Sequence, residues 1–461
     1  MADITSGNLR RSVFILALPV VARMILQMLV GLADLAMVGR ISHQAISAVG
    51  LTNQIWFLSF SVVTAFTVGT TALVARNVGA GRPKEAEGYA RQSLVLTGAT
   101  GLILGLLGAI FAPQILSLMM IAMESPDPEI LRLGTVYLRI VAISAPMTFM
   151  MMTVTSVLQG AGDMKAPLFI MAGCNVFNVV FDYLLIFGVG PFPELGVAGA
   201  AIATASAHSL GGLAGLYLLL SGRGAVRISL RDDFRLQLDK VRDILQIGIP
   251  SAMEQLLRSS GQAAFTMLVA GLGPVALAAN QIIMKAMSIS FMPGFGFGLA
   301  ATTLVGQNLG AKQPERAEES GYEATRMAMI FMAGVGALFY LASYQLAGVF
   351  TTDTAVQLAA GENLKLLAVS QPFLAVVMVL AGALRGAGDT KIVMWVTLVG
   401  TWGSRVVIAW FLGIYLGLGL TGIWWAMVID NIIRAVLLYA RYRGGRWKEI
   451  RAARITELKT A

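Results

Sequence analysis

Long apolar segments separated by short polar segments make up almost the whole chain. A helix needs about 20 apolar residues to cross the hydrocarbon core of a bilayer. The segments predict helices, because backbone groups in lipid must be paired within the segment, and the alternating pattern of a membrane β-barrel is absent. The twelve predicted spans are 13–38, 47–75, 92–117, 133–158, 166–190, 195–221, 244–270, 276–304, 323–350, 361–384, 391–416 and 420–441.

Composition agrees with an all-α integral membrane protein. The 461 residues are 57% hydrophobic and 13% charged, with a mean hydropathy of +0.75. Soluble domains have about 45–50% apolar and about 25% charged residues, so a soluble enzyme and a disordered chain are excluded. The single cysteine, Cys174, excludes an intrachain disulfide and a CxxC metal site, and two histidines are too few for a haem or zinc cluster.

The net charge of +9 predicts membrane orientation rather than binding to nucleic acid. Most of the 34 Lys and Arg residues fall on one side of the bilayer if the N-terminus is placed inside. We therefore predict a multi-pass protein of the cytoplasmic (inner) membrane with both termini cytoplasmic. Trp447 lies among basic residues near the C-terminus, where the chain either follows the inner leaflet or forms a solvated tail.

The chain contains an internal repeat. The sequence LQGAGDMK at 158–165 returns as LRGAGDTK at 384–391, and LVARNVGA at 73–80 returns as LVGQNLGA at 304–311. Each repeat holds six spans, so the halves share one orientation and are related by a pseudo-two-fold axis along the membrane normal, as in many secondary transporters. The glycine-rich loops predict tight turns rather than phosphate loops. The predicted parts are an N-lobe at 1–221, a cytoplasmic linker at 222–243, a C-lobe at 244–441 and a basic tail at 442–461.

Several motifs together resemble the multidrug and toxic compound extrusion (MATE) family, over about residues 10–440. The resemblance implies a drug/cation antiporter with two six-helix lobes around a central cavity. The motifs are Leu18-Pro19, GLAD at 31–34, the doubled GAGD loops, AANQ at 278–281, NVVFD at 178–182 and GVAGAAIAT at 196–204.

The resemblance also implies an ion-coupling site. Asp34 lies fifteen residues after Pro19, the spacing at which the family carries its acidic residue of the first span. The DinF-like branch adds residues that match Asp182, Asn178 and Thr204. Where the NorM-like branch has further carboxylates, this chain has Arg258 and Leu374, which favours the DinF-like arrangement.

The chemistry of these four residues points the same way. An ionisable residue inside a span is costly and indicates function. Asn178 lies one helical turn before Asp182, so both face the same side. Two carboxylates, an amide oxygen and a hydroxyl would form a metal site for Na⁺, and the carboxyl pair could instead hold a proton. The coupling ion is therefore H⁺ or Na⁺, and we expect no other cofactor.

The cavity candidates follow from the resemblance, because the first, second and eighth spans border the cleft in that architecture. They are Met24, Gln27, Met28, Trp56 and Gln281. We expect small-molecule organic substrates, the lipid bilayer as surroundings, no nucleic-acid partner and a monomer.

Charged residues of the C-lobe predict both ion pairs and a second function. Asp430 with Arg434, and Glu254 with Arg258, have the i,i+4 spacing of helical ion pairs. Arg23, Lys285 and Arg405 have no such local partner and could line the cavity. Cationic cavities suit anionic substrates, so the alternative to an exporter of amphipathic cations is a flippase for a lipid-linked precursor. An integral-membrane enzyme is disfavoured, since no DDxxD or HExxH motif occurs.

Overall fold

The structure is a computed structural model that describes residues 7–121, 127–222, 224, 226–229 and 233–450. Every regular element in these ranges is helical, which confirms the all-α prediction. The α-helices are α1 Leu9–Gly39, α2 His43–Gly79, α3 Pro83–Ile110, α4 Ala112–Met120, α5 Pro128–Ile143, α6 Ala145–Gly160, α7 Lys165–Phe187, α8 Val197–Leu220, α9 Leu238–Ala270, α10 Pro274–Gly310, α11 Pro314–Leu341, α12 Ser343–Phe350, α13 Thr354–Ala387, α14 Thr390–Leu398, α15 Val407–Trp410 and α16 Gly419–Arg443.

Each predicted span corresponds to one helix or to a series of helices. Among the described residues, ten are long and apolar enough to cross a membrane, and the pair α5 and α6, bent by 53°, adds an eleventh if it is counted as one span. The remaining predicted span is α9, whose charged side chains include Glu254 and Arg258. These charged side chains distinguish α9 from the other predicted spans, and they make contacts within the protein.

Three predicted spans are broken rather than continuous. The breaks lie at Phe111 between α3 and α4, at Ser144 between α5 and α6, and at Ala342 between α11 and α12. A proline in the first turn of both α4 and α6 fits a helix start, because its missing N–H has no partner there in any case. Hydropathy cannot reveal such breaks, since the apolar pattern continues through them.

The eleventh predicted span is irregular in a different way. It runs from Thr390 to Tyr415 and contains two π-helical segments, Val399–Val406 and Phe411–Tyr415. A π-helical segment shifts the side chains that follow it around the helix axis, and such segments are frequent at functional sites. Arg405 lies in the first of these two segments.

The chain folds into two compact units. The first unit contains Ala22–Val74 and Arg82–Leu245. Of the described residues, the second contains 7–21, the segment Ala75–Gly81, and 246–450.

Small residues allow close helix packing in the first unit. A side chain at Gly199 on α8 would overlap the backbone of Leu185 on α7, and one at Gly101 on α3 would overlap Pro146 on α6. Such contacts let helices approach where the hydrophobic effect between them is weak. The contact at Gly199 holds α7 and α8 side by side, about one helical turn from Asp182 and Thr204.

The second unit is packed in the same manner around α10 and α13. Gly382 and Gly386 on α13 lie against the backbone of α10, and the hydroxyl of Thr302 donates to the carbonyl of Gly382 at 2.8 Å. The buried aromatic residues Phe265 and Trp424 contact edge to face at 5.8 Å. α10, α13 and α16 therefore form a continuous buried core.

The repeated glycine-rich loops are tight turns, as predicted. Gly162 and Gly388 have φ values of 86° and 87°, which glycine adopts without steric cost. The following aspartates both donate their backbone N–H back to a leucine carbonyl at 2.8 Å. Their side chains differ, because Asp163 accepts from the first N–H groups of α7 whereas Asp389 pairs with Arg441 at 2.7 Å.

The beginning of the predicted basic tail is packed against the protein. Trp447 has no exposed surface, stacks on Tyr442 at 4.6 Å and donates to the Tyr442 carbonyl at 2.6 Å. Lys448 pairs with Glu318. Trp447 is therefore buried within the protein; residues 451–461 lie outside the described part of the chain, and the two alternatives for the tail stay predictions.

Candidate functional site

Three helices of the first unit bring the four predicted ion-coupling residues together. Asp34 lies on α1, Asn178 and Asp182 lie on α7, and Thr204 lies on α8. Asp182 and Asn178 are 1% and 6% exposed, while Asp34 and Thr204 are half-buried. The close contact between α7 and α8 near Gly199 fixes the separation of Asn178 from Thr204.

The two carboxyl groups lie within hydrogen-bonding reach of each other. Among the described residues, no side chain donates to either oxygen of Asp182 or to the buried oxygen of Asp34. Two ionised carboxylates offer only acceptors, so they cannot bond to each other directly. A proton shared between them, or a cation that both contact, would satisfy this arrangement.

Asn178 and Thr204 complete the polar cluster. The Asn178 amide donates to the Thr204 hydroxyl at a long 3.4 Å, and Asn178 also lies beside Asp182. The cluster thus offers carboxylate, amide and hydroxyl oxygens, the donor set preferred by hard cations. Within the described ranges, no group of three His, Cys, Asp or Glu side chains could hold a metal ion, so a cation here would also need the amide or hydroxyl oxygens.

Tyr137 on α5 is a member of this cluster that the sequence analysis missed. It is 7% exposed, and it is close enough to Thr204 and to both aspartates to interact electrostatically. A tyrosine early in an apolar span is the signal that could have found it. Its hydroxyl can both donate and accept, so it can orient Thr204 toward the carboxyl pair.

The cavity candidates divide by exposure. Gln27 and Gln281 are exposed, and Met24 and Met28 are half-buried. Trp56 is half-buried and stacks on Phe149 at 5.6 Å, so its ring also contributes to the packing of the first unit. The role of these five residues in substrate binding stays a prediction.

Asp430 of the second unit accepts from two arginines. Arg434 contacts it at 2.8 Å, which confirms the predicted i,i+4 pair. Arg405 contacts it at 2.6 Å from the π-helical segment. Arg405 has no local partner, as its sequence surroundings indicate, but it pairs with an acid that lies 25 residues away on another helix.

The prediction that Glu254 pairs with Arg258 is wrong. Glu254 instead binds Arg385 on α13 through two hydrogen bonds of 2.6 and 3.2 Å. Arg258 donates to the neighbouring Gln255 and lies over the ring of Phe291 at 5.9 Å. The helical spacing of Glu254 and Arg258 allows an ion pair, but the Glu254 carboxylate binds the Arg385 guanidinium instead.

The remaining basic residues of the spans were predicted as cavity candidates without a local partner. Lys285 on α10 is exposed and Arg23 on α1 is half-buried. No carboxylate in the described residues lies within ion-pair distance of either side chain.

Comparison with known proteins identifies one family, and the relatives described here are similar over almost the whole chain. A model of the MatE family matches residues 19–184 and 250–411. A probable multidrug resistance protein NorM of Thermotoga maritima is 32% identical over 450 residues, which cover 96% of this chain and 94% of that protein.

Two solved structures extend the similarity to the fold. One, described as the outward-facing conformation of a multidrug resistance MATE family transporter of the MOP superfamily, has a TM-score of 0.86 and 26% identity, covering 96% of this chain and 98% of that one. The other is a MOP superfamily transporter of Pyrococcus furiosus, for which a reverse polarity of the binding pocket is said to suggest a different function. It also has a TM-score of 0.86 and 26% identity, covering 96% of this chain and 97% of that one.

Proposed function

The chain belongs to the MATE family of membrane transporters, whose fold has twelve transmembrane helices in two lobes, and from this we propose that it is a secondary active antiporter. It exports amphipathic, mostly cationic organic compounds in exchange for H⁺ or Na⁺. Its multidrug-resistance relatives support the substrate class. It works as a monomer in the cytoplasmic membrane with both termini inside.

The observation that carries this proposal is the pair of Asp34 and Asp182. Both are in the hydrophobic part of spans, they lie within reach of each other, and no cationic side chain among the described residues pairs with them. Such a pair is costly unless it binds a cation reversibly, because like charges in a low-dielectric site repel. Reversible cation binding is the property that an ion-coupled transporter needs.

The proposed mechanism follows from this charge. The drug-loaded, outward-open carrier takes H⁺ or Na⁺ at the two carboxylates, with Asn178 and Thr204 as further oxygen ligands in the DinF-like manner. Neutralising the pair removes its internal repulsion and allows α1 to repack against α7. The repacked state binds the drug less tightly, so the drug leaves outward and the ion is released inside. Coupling requires this difference in affinity between the two states.

The first experiment measures efflux of ethidium from liposomes that contain the purified protein. A proton gradient and a sodium gradient are imposed separately, with the wild type, Asp34→Asn and Asp182→Asn. The matched control is Asp233→Asn, an exposed carboxylate outside the predicted spans. We expect one gradient to drive efflux, the control to retain it, and both span variants to lose at least about tenfold in initial rate, because the charge that binds the ion is gone.

The two gradients also decide the ion. Efflux with a proton gradient alone identifies H⁺, and efflux with a sodium gradient alone identifies Na⁺. Equal efflux in wild type and Asp34→Asn would show that the carboxyl pair does not couple transport. No ethidium efflux under either gradient would overturn the proposal for organic cations.

A flippase for a lipid-linked precursor is the second candidate function. The half-buried Arg258 favours it, and the Pyrococcus furiosus relative is described as having a pocket of reverse polarity. Arg405 argues against it, since this guanidinium is bound to Asp430 and is not available to an anionic headgroup. Scrambling of a fluorescent lipid-linked pyrophosphate in the same liposomes tests this function directly.

A further inference from the structure

A cavity of about 260 Å³ lies in the first unit, between three helices and the linker that precedes α9. Its lining side chains are all apolar, and they include Leu94 on α3, Met150 on α6, Leu216 and Leu219 on α8, and Ile228 and Phe234 in the linker. Drug-sized ligands occupy pockets of about 300–1,000 Å³ that also present a few polar groups. This cavity therefore suits a narrow, purely apolar group better than a drug.

The linker forms one wall of the cavity because its backbone is bonded to both neighbouring helices. The Ile228 N–H donates to the carbonyl of Leu219 at 3.1 Å, near the end of α8. On the other side, the Gln92 side chain on α3 binds the backbone of Arg235 and Gln237. These hydrogen bonds hold both lining residues of the linker in place without relying on the apolar contacts of the cavity.

The cavity lies at the end of the predicted sixth span, where the hydrocarbon of a bilayer meets the headgroups. α8 ends at Leu220, and Tyr217, in the last turn of that helix, is exposed. Tyrosine is enriched at this depth, because its ring contacts hydrocarbon while its hydroxyl contacts the headgroups. Leu213, one turn earlier on α8, is also exposed, so this face of the helix borders lipid. Acyl chains are the apolar groups that a membrane supplies at this depth.

The last part of the linker has the pattern of a segment that lies on a membrane surface. Phe234, Leu236 and Leu238 are exposed apolar residues, and they alternate with polar residues. Alternate side chains of an extended segment point to opposite sides, so the apolar ones share one side. The long side chain of the exposed Arg235 can reach headgroups from such a position.

Two exposed arginines are sequence neighbours of the linker residues that line the cavity. Arg227 precedes Ile228, and Arg235 follows Phe234. Among the described residues, no carboxylate lies within ion-pair distance of either guanidinium. A guanidinium group binds phosphate through two parallel hydrogen bonds, which makes arginine well suited to a phospholipid headgroup.

The acidic residues near these arginines bind the backbone. Glu87 accepts from the N–H of Arg227 at 3.4 Å, and Asp233 accepts from the N–H of Arg235 at 2.9 Å. The linker as a whole, 222–243, has six Lys and Arg residues and four Asp residues. It therefore has a net positive charge, which attracts anionic lipids on the predicted cytoplasmic side.

We propose that this cavity binds one acyl chain of an anionic phospholipid of the cytoplasmic leaflet, and that Arg227 and Arg235 bind the phosphate of the same lipid. The leaflet follows from the predicted orientation of the chain. The site contains none of the four candidate ion-coupling residues and none of the five cavity candidates, so it is additional to the proposed export function.

The test uses phosphatidylglycerol that carries a photoactivatable diazirine on one acyl chain. The lipid is added to the purified protein in detergent and irradiated, and mass spectrometry identifies the labelled peptides. We expect labelling of the peptide that contains Leu216 and Leu219, and of the peptide that contains Phe234. Unlabelled phosphatidylglycerol should compete about tenfold more effectively than phosphatidylcholine, because each basic residue near an anionic headgroup strengthens binding several-fold.

A pair of double variants tests the headgroup contacts. Arg227→Gln with Arg235→Gln should lower the labelling about tenfold, because both phosphate ligands are lost. The matched control, Arg82→Gln with Lys84→Gln, removes two exposed positive charges from the start of α3. Lys84 lies ten residues before Leu94, or about 15 Å along the helix, so labelling should stay at the wild-type level. Equal labelling in the two double variants would overturn the proposal.

A second pair of variants tests the cavity itself. Leu216→Trp should lower the labelling, because the indole fills space that the acyl chain needs. Leu213→Trp adds the same bulk to the exposed face of α8, outside the cavity lining, and should leave the labelling unchanged. Thermal unfolding midpoints in detergent verify that both variants are folded.

Three results would contradict the proposal. Labelling that is insensitive to Leu216→Trp would show lipid on the protein surface rather than in the cavity. Equal competition by phosphatidylcholine would exclude a role for the anionic headgroup. Competition by ethidium but not by phosphatidylglycerol would assign the cavity to a drug. Because labelling requires no ion gradient, failure of ion-coupled efflux and failure of lipid binding give different results.

Discussion

At the scale of single residues, the two units treat buried charge in opposite ways. Asp34 and Asp182 face each other without a cation, whereas Asp430 receives four hydrogen bonds from two guanidinium groups. The first arrangement is the one that we propose to bind a proton or cation, whereas the carboxylate of the second already has its hydrogen-bond partners. Breaking a satisfied buried pair is strongly destabilising because one charge is left without compensation.

The satisfied cluster depends on a missing side chain at Gly400. A Cβ at this position would overlap the side chains of both Arg434 and Asp430. We expect Gly400→Ala to destabilise the protein by about 1–3 kcal/mol, the usual cost of overpacking a close-packed site. Thermal unfolding in detergent measures this as a lower midpoint.

Gly403 is the matched control, since it lies in the same π-helical segment and a Cβ there would meet nothing within 4 Å. Gly403→Ala should change stability by less than about 0.5 kcal/mol. Equal unfolding midpoints for the two variants would show that the cluster can move away from residue 400 at little cost.

At the scale of elements, the start of α9, just before the predicted seventh span, is bound to α3. The Tyr89 hydroxyl donates to Asp243 at 2.8 Å, and Lys240 lies over the Tyr89 ring while pairing with Glu85 at 3.4 Å. The side chain of Gln92 on α3 binds the segment just before α9. Its amide donates to the Arg235 carbonyl and accepts from the Gln237 N–H. These contacts hold the beginning of α9 within the first unit.

The carboxyl of Asp243 makes this contact sensitive to pH. Burial raises the pKa of Asp243, and the hydrogen bond from Tyr89 opposes that shift only in part. The folded state therefore keeps the proton to a higher pH than the unfolded state does. The resulting stabilisation is complete below the unfolded pKa of about 3.9 and is lost as the pH rises through the folded pKa.

It follows that Asp243→Asn should be more stable than the wild type at pH 7, by less than about 1 kcal/mol because the group is partly solvated. The difference should vanish near pH 4. Thermal unfolding between pH 4 and pH 8 measures it, with Asp233→Asn, an exposed carboxylate, as control. A variant less stable than the wild type at pH 7 would show that the charge of Asp243 stabilises the contact, through Arg242 or Lys240.

At the scale of the whole molecule, the distribution of Lys and Arg predicts that both termini are cytoplasmic. Replacing the single Cys174 by Ser allows single cysteines to be placed at exposed positions on either predicted side. Cysteines at Lys84 and Arg326 should react with an impermeant maleimide only after the cells are permeabilised. Cysteines at Glu194 and Asp353 should react in intact cells, and the reverse pattern would overturn the predicted orientation.

The sequence by itself determined the membrane-spanning helical architecture, the family and the tight glycine turns. These features depend on hydropathy over about 20 residues, on the motifs that carry the family resemblance and on the backbone angles of glycine, which are all local properties. The family resemblance also predicted the four polar residues of the candidate ion site, and its two carboxylates are conspicuous by themselves because an ionisable residue inside an apolar span is costly. Tyr137 was missed, since a tyrosine inside an apolar span is a weaker signal than a carboxylate.

Only the tertiary structure decided which charges pair. Helical spacing correctly predicted Asp430 with Arg434, but Arg405 comes to the same carboxylate from 25 residues away. Glu254 takes Arg385, 131 residues distant, and so leaves Arg258 without an acid. The breaks in three predicted spans and the burial of Trp447 were likewise decided only by the tertiary structure. Pairing in a protein interior depends on which side chains long-range packing brings within 3 Å or so of each other, and a local pattern does not contain that distance.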